Sequence, residues 1–202
     1  QSNLGALLSD NSGLEGIEAF TVEAADASGA GALRLGYMAV ASGFVDYALA
    51  LGVEKVTDRV GPGLDGAVSE SLDYDFEAIQ GITPTGVAAL VAQRYLYEYR
   101  VPRPALAAFP LLAHANAVNN PNAMYRKPIR REVYENAGML CDPLNMFDSA
   151  PYADGAAAVM LTRADRVPAE KQSQLVKISG SNITVDTLAL HDRADLLAFQ
   201  GM

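Results

Sequence analysis

An α/β fold carrying a mostly helical insertion is what the sequence predicts, and three features predict it. The apolar, β-branched stretch "EAFTVEA" (Glu18–Ala24) runs through a turn into the small-residue stretch "ASGAGALRLGYMAVASG", and an almost continuous apolar run, "VDYALALGVEKV" (Val45–Val56), follows. That order reads as strand, helix, strand, the right-handed crossover unit of a parallel sheet. Helical periodicity then dominates the middle of the chain, and strand character returns at "GAAAVMLTR" (Gly155–Arg163) and "LVKISGSNITV" (Leu175–Val185).

Each element has a local reason. Leu4, Leu7 and Leu8 recur at helical spacing before Gly13, which predicts a short helix over residues 4–12. In the second helix Ala30, Leu33, Tyr37, Val40 and Ala41 share a face, and Gly43 closes it. The many small residues there let a helix sit close to its neighbours. Gly61, Pro62, Gly63 and Gly66 predict a loop and a boundary. "GVAALVAQRYLYEYRV" (Gly86–Val101) is a strong helix, and "PALAAFPLLAHANAVNN" predicts another, interrupted at Pro110 and ended by Asn120-Pro121. These signals divide the chain into a core at 1–72, an insertion at 73–149 and a return to the core at 150–202. The last stretch, "DLLAFQGM", reads as a helix still in progress, as in a segment of a longer protein.

Composition narrows the functional classes. With 202 residues, half of them hydrophobic, the chain can build a sizeable core. A formal net charge of -9 argues against nucleic acid and anionic membrane as partners, since both need a basic footprint. No apolar run approaches the roughly 20 residues of a membrane span. The one cysteine, Cys141, cannot form an internal disulfide, so a cytoplasmic protein is expected.

Four stretches in order resemble the thiolase superfamily, and more closely its archaeal and sterol-carrier-protein-type branch, the acetyl-CoA acetyltransferase group. They are "VEAADASGAGALRLGYMAVASG" with "ALGVEKVTD" behind it, "HANAVNNPNAMY", "DSAPYADGAAAVMLT" and "VDTLALHDRADL". The resemblance implies a layered αβαβα fold made of two similar halves, of which this chain is the first. A helical loop domain is inserted in that half, and coenzyme A binds between loop domain and core. It also implies an acyl-CoA thioester substrate, a homodimer or tetramer, and a small zinc-ribbon/OB-fold acyl-CoA-binding subunit as partner. A His-containing loop, a Gly-His-Pro-type loop and a second cysteine belong to the other half.

One position departs from the pattern. Acyl-transferring members carry Cys immediately before Ala-Ser-Gly, and here Asp26 precedes Ala27, Ser28 and Gly29. A thiolate suits a helix N-terminus and exchanges acyl groups with coenzyme A at little free-energy cost, whereas an ionised carboxylate is a far weaker acyl acceptor. Three roles are open for Asp26: a helix N-cap, a general base for carbon–carbon cleavage of a β-hydroxyacyl-CoA, as in thiolase-like aldolases, or a mixed acyl anhydride. A non-catalytic thiolase-fold subunit is the further alternative. The backbone N–H groups of Ser28 and Gly29 are placed to meet a carbonyl oxygen.

Elsewhere the candidates are weaker. Arg126, Lys127, Arg130 and Arg131 form a cationic cluster on an acidic chain, either a solvated face or a contact for coenzyme A phosphates. Cys141 reads as a buried apolar residue, His114 as a structural histidine on a helix, and His191 as a turn residue bonded to neighbouring backbone. Two histidines without suitable spacing make no metal site.

Overall fold

The computed structural model describes residues 3–200. Two compact units divide the chain: residues up to Glu54 together with Gly155–Ile183, and Lys55–Asp154 together with residues from Thr184 on.

The first unit is a helix laid on a two-stranded ribbon. Its elements are α1 (Leu4–Asn11), α2 (Ser28–Ala41), β1 (Tyr47–Glu54) and β4 (Gly155–Thr162). β1 and β4 pair antiparallel in unbroken register from Tyr47↔Thr162 to Glu54↔Gly155. The parallel arrangement expected of Val45–Val56 is therefore corrected, because a continuous apolar run encodes burial and says nothing of its partner's direction. Burial is one-sided too. Alternate side chains point to opposite faces, so Ala48 and Leu161 face α2 while Tyr47, Leu49, Leu51 and Val53 are exposed on the other side. A Cβ on Gly36 of α2 would sit 2.8 Å from Leu161 Cδ1 and 3.4 Å from the Cβ of Ala48, so glycine sets how closely helix and ribbon approach. The ribbon's end is fastened by Arg166 and Asp46 at 2.6 Å and by the Thr162 hydroxyl, which donates to the Asp46 carbonyl.

Two expected strands are absent among the described residues. Glu18–Ala24 runs without ladder partners; instead α1 packs on it, with Gly5 so close that a Cβ would meet the Phe20 backbone at 2.7 Å. Leu175–Val185 likewise lacks a strand, following a 3₁₀ turn over Ala169–Gln174. β-branched residues favour a pleat, but a strand exists only where a neighbour supplies the hydrogen bonds.

The second unit is helical: α3 (Pro62–Ser69), α4 (Pro84–Glu98), α5 (Ala108–Ala117) and α6 (Arg131–Glu135), with a small hairpin of β2 (Met139–Cys141) and β3 (Leu144–Asn145). α3 replaces the loop expected from Gly61–Gly66. Gly61, at φ +55, makes the entry that Pro62 then continues, and no heavy atom lies within 4 Å of a Cβ at Gly63 or Gly66. α4 starts at Thr83, whose hydroxyl accepts from the Gly86 N–H. Pro110 does not interrupt α5. It lies in the first turn, where its missing N–H has no intrahelical acceptor to lose. Asp195–Gln200 forms turns in place of the expected terminal helix, and Gly201 and Met202 lie outside the described residues. No helix among the described residues is long and apolar enough to cross a membrane.

The core of this unit is polar at its centre. Tyr134 and Asn145 are fully buried; Asn145 donates from Nδ2 to the Tyr134 carbonyl, and the Tyr134 hydroxyl donates to Asp148 at 2.9 Å. Asp148 also accepts the Asn145 N–H, and Asn145 Oδ1 accepts the Phe147 N–H, so the buried polar groups have partners within this cluster and its loop. A second tie is Glu77, buried, which accepts the Leu190 N–H at 2.6 Å and the Asp73 N–H at 3.2 Å. Asp154 accepts from both the N–H and the hydroxyl of Thr57, joining the two chain segments that leave the unit.

Burial first, and then the bond to the Asp148 carboxylate, push the Tyr134 phenol up to about 12. A raised folded value means that this contribution is complete below the ordinary tyrosine range near 10 and is lost as pH rises through about 12. Alkaline titration followed by tyrosinate absorbance should show one phenol ionising only near that pH, together with unfolding. Tyr134→Phe should remove this step and cost about 1–2 kcal/mol in chemical denaturation.

Candidate functional site

The site is a turn that delivers the chain into α2. Val22 packs against that helix, its Cγ1 3.2 Å from where a Cβ on Gly31 would stand. The backbone must then reverse within three residues. It does so through Ala25, held at φ +47, a left-handed conformation that costs an alanine about 1–2 kcal/mol. A 3₁₀ turn over Ala25–Ala27 follows and leads into Ser28.

Side chains hold this strained turn. Glu23 Oε1 accepts the Ala25 N–H at 2.6 Å and lies 2.9 Å from the Ser28 hydroxyl. Ser28 Oγ in turn accepts the Ala24 N–H at 2.8 Å and lies 2.7 Å from the Ala25 carbonyl. The Ser28 hydroxyl has one proton to share between those two acceptors, and its backbone N–H donates to the Ala25 carbonyl. Bonds from Ser28, and then from the Ala25 N–H, hold the Glu23 carboxyl below the usual carboxylate range.

Asp26 stands at the tip. It is exposed, and its carboxylate has no hydrogen-bond partner among the described residues. The N-cap role is corrected: Ala27 is the capping residue of α2 and no side chain caps it. Of the turn's N–H groups, Ala24 donates to Ser28, Ala25 to Glu23, Ala27 to the Ala24 carbonyl and Ser28 to the Ala25 carbonyl, none of them to the Asp26 side chain. Gly29 is exposed, with no heavy atom within 4 Å of where a Cβ would stand, so the helix start is open at that point. Nothing in the sequence marks Glu23 for its part in the turn. Side-chain-to-backbone turns two residues ahead are a signature of Asp and Asn, and a glutamate does not advertise one.

The basic residues lie in the second unit, and all four are exposed. Arg126 reaches the Pro121 carbonyl at 3.4 Å, while Arg131 reaches the Pro104 carbonyl and Glu135. His114 fixes the loop between them, with Nδ1 3.2 Å from the Lys127 carbonyl and its ring stacked on Tyr125 and edge-on to Phe147. That is the structural role expected of it. His191 departs from expectation: its Nε2 is 3.4 Å from the Asp192 carboxylate and its ring packs on Phe76, so no bond to neighbouring backbone defines it. Cys141 is exposed, against the buried position expected, because every residue of the short strand β2 faces solvent. Among the described residues no group of three or more His, Cys, Asp or Glu is placed to hold a metal ion.

Comparison with known proteins places this architecture. The description "Thiolase, N-terminal domain" matches residues 3–165. The chain belongs to the thiolase family. It is 42% identical over 97% of its length to an acetyl-CoA acetyltransferase of Methanothermobacter thermautotrophicus, and spans half the length of that relative. It is 31% identical over 69% of its length to the 17-hydroxy-3-oxo-4-pregnene-20-carboxyl-CoA lyase of Mycobacterium tuberculosis, of which it covers 38%. Among solved structures, an Ltp2-ChsH2(DUF35) aldolase superposes with a TM-score of 0.71 at 21% identity, over 98% of this chain and 52% of that one, which supports an α/β thiolase-like fold.

Ser28→Ala should destabilise the protein by about 1 kcal/mol, the usual net worth of a hydrogen bond, because it strips the Ala24 N–H of its acceptor. Thermal unfolding of the variant checks this.

Proposed function

We propose that the protein acts on coenzyme A thioesters as a thiolase-type acyltransferase of the acetyl-CoA acetyltransferase kind, with Asp26 in the place of the nucleophile. The observation that carries this reading is the unpartnered carboxylate of Asp26 at the open start of α2, in a chain of the thiolase family. A carboxylate there serves as a base and not as an acyl carrier. In the thiolysis direction it takes the proton of the coenzyme A thiol, the thiolate attacks the β-carbonyl carbon of a β-ketoacyl-CoA, and the bond between the α and β carbons breaks. The electron pair goes to the α carbon, which is then protonated. Atoms balance without an acyl-enzyme, so both substrates are held at once.

A second reading is favoured by the same free carboxylate and by the lyase relative. Asp26 takes the hydroxyl proton of a β-hydroxyacyl-CoA, and cleavage of the same bond releases a carbonyl compound. Residues 73–149 are read as the inserted loop domain, with Arg126, Lys127, Arg130 and Arg131 meeting the cofactor's phosphates and Ser28 and Gly29 near the thioester oxygen. The working assembly is a cytoplasmic homodimer or tetramer. A small zinc-ribbon/OB-fold subunit is its further partner, a reading supported by the two-component name of the structural neighbour. No metal takes part.

Acetoacetyl-CoA with free coenzyme A, and separately a β-hydroxyacyl-CoA, test the two readings by thioester product analysis. Thiolysis without a covalent acyl-enzyme, lowered by about 10²-fold or more in Asp26→Asn, is expected. Cleavage of the hydroxy substrate alone replaces it with the aldolase, and silence from both, with coenzyme A still bound, replaces it with a non-catalytic subunit.

For the basic loop, Lys127→Ala with Arg130→Ala should weaken coenzyme A binding by about tenfold, and more at low salt, in titration calorimetry.

A further inference from the structure

We propose that Glu23 is the positioning residue of this site: by accepting from the Ala25 N–H and the Ser28 hydroxyl, it holds the left-handed turn that aims residue 26 outward from the start of α2. Alanine does not enter φ +47 unaided, and a strained conformation of this kind persists only where its surroundings over-determine it. The surroundings here are few. Ala25 and Asp26 are both exposed, so tertiary packing does little to hold them. Beside the backbone bonds from the Ala27 N–H to the Ala24 carbonyl and from the Ser28 N–H to the Ala25 carbonyl, what holds the turn is the ring of short bonds from Glu23 Oε1 to Ala25 N at 2.6 Å, and between Glu23 and Ser28 at 2.9 Å, closed by the Ala24 N–H on Ser28 Oγ. Every bond in the ring spans residues 23–28, so removing its common acceptor frees the turn without unmaking the helix behind it.

This deepens the role given to Asp26 above and rests on it, but it is tested without any thioester, so the two fail separately. Cys141 is the one cysteine of the chain. In a Cys141→Ser background, Asp26→Cys therefore installs a single reporter thiol at the tip, and its alkylation by iodoacetamide is followed as a function of pH. Adding Glu23→Ala should change the rate at neutral pH by about tenfold, a shift of about one unit in the thiol's midpoint. Glu23→Gln, whose amide oxygen can accept both bonds, should restore the parent profile to within about threefold. A stabilising residue with no positioning role would alter the unfolding midpoint and leave the profile of the folded protein where it was. An unchanged profile in folded Glu23→Ala overturns the proposal, and so does a Glu23→Gln variant as altered as Glu23→Ala. Should Glu23→Ala fail to fold, Ser28→Ala asks the same question: an intermediate shift supports the ring, and an unmoved profile overturns it.

Discussion

The seat of α2 on the β1–β4 ribbon is the constraint from which the first unit follows. Glycine at position 36 lets the helix approach until the Leu161 side chain and Ala48 touch its backbone surface. A bulkier residue would lift the helix and with it the turn at its start. The ribbon needs the helix as much, because two strands alone are marginal in water. α2 and β1 are neighbours in the sequence, but β4 enters only after the whole of Lys55–Asp154. The site therefore depends on a pairing made across about a hundred residues, which is a slow, non-local contact to form.

Only one face of the ribbon is covered in this way. On the other, Leu49, Leu51 and Val53 lie side by side with Met160, all exposed. Covering such side chains contributes about 1 kcal/mol each or somewhat more. The polar centre of the second unit works on a different principle. Tyr134 buries its ring, and the polar atoms of Tyr134, Asn145 and Asp148 are tolerated there because they satisfy one another, since each would be costly to leave alone.

What could be read in the sequence follows the same division. α2 and α4 were legible because their signals are local, a 3.6-residue period in both and Gly43 at the end of α2, although the start of α4 at Thr83 and Pro84 lies ahead of the expected Gly86. β4 was legible as an alternating apolar run. The strands expected at Glu18–Ala24 and Leu175–Val185 failed because β-branched composition cannot report whether a neighbour exists. α3 was hidden by its glycines, whose permissiveness is the same in a loop or a helix. Pro110 misled because a proline's effect depends on its position within the helix. At the candidate site, the position of Asp26 just ahead of α2 was legible from the surrounding phrase, while the bonds of Glu23 were not, since they appear only when the Ala25 N–H is seen turning back to meet it.

Two carboxylates three residues apart thus end in opposite conditions. Glu23 is occupied by two donors, and each bond that stabilises its charge makes it a poorer base and a firmer anchor. Asp26 carries none and keeps its lone pairs for whatever comes to the helix start. Environment and not residue type divides them, one carboxylate bonded within the turn and the other exposed without a partner among the described residues. A thiol at the tip would draw its reactivity from the field of the helix start and could hold an acyl group between half-reactions. A carboxylate holds an acyl group only as a mixed anhydride, a far more reactive link than a thioester. In the proposed role of Asp26 as a base, bonds are exchanged directly between bound molecules, and both substrates must be present together.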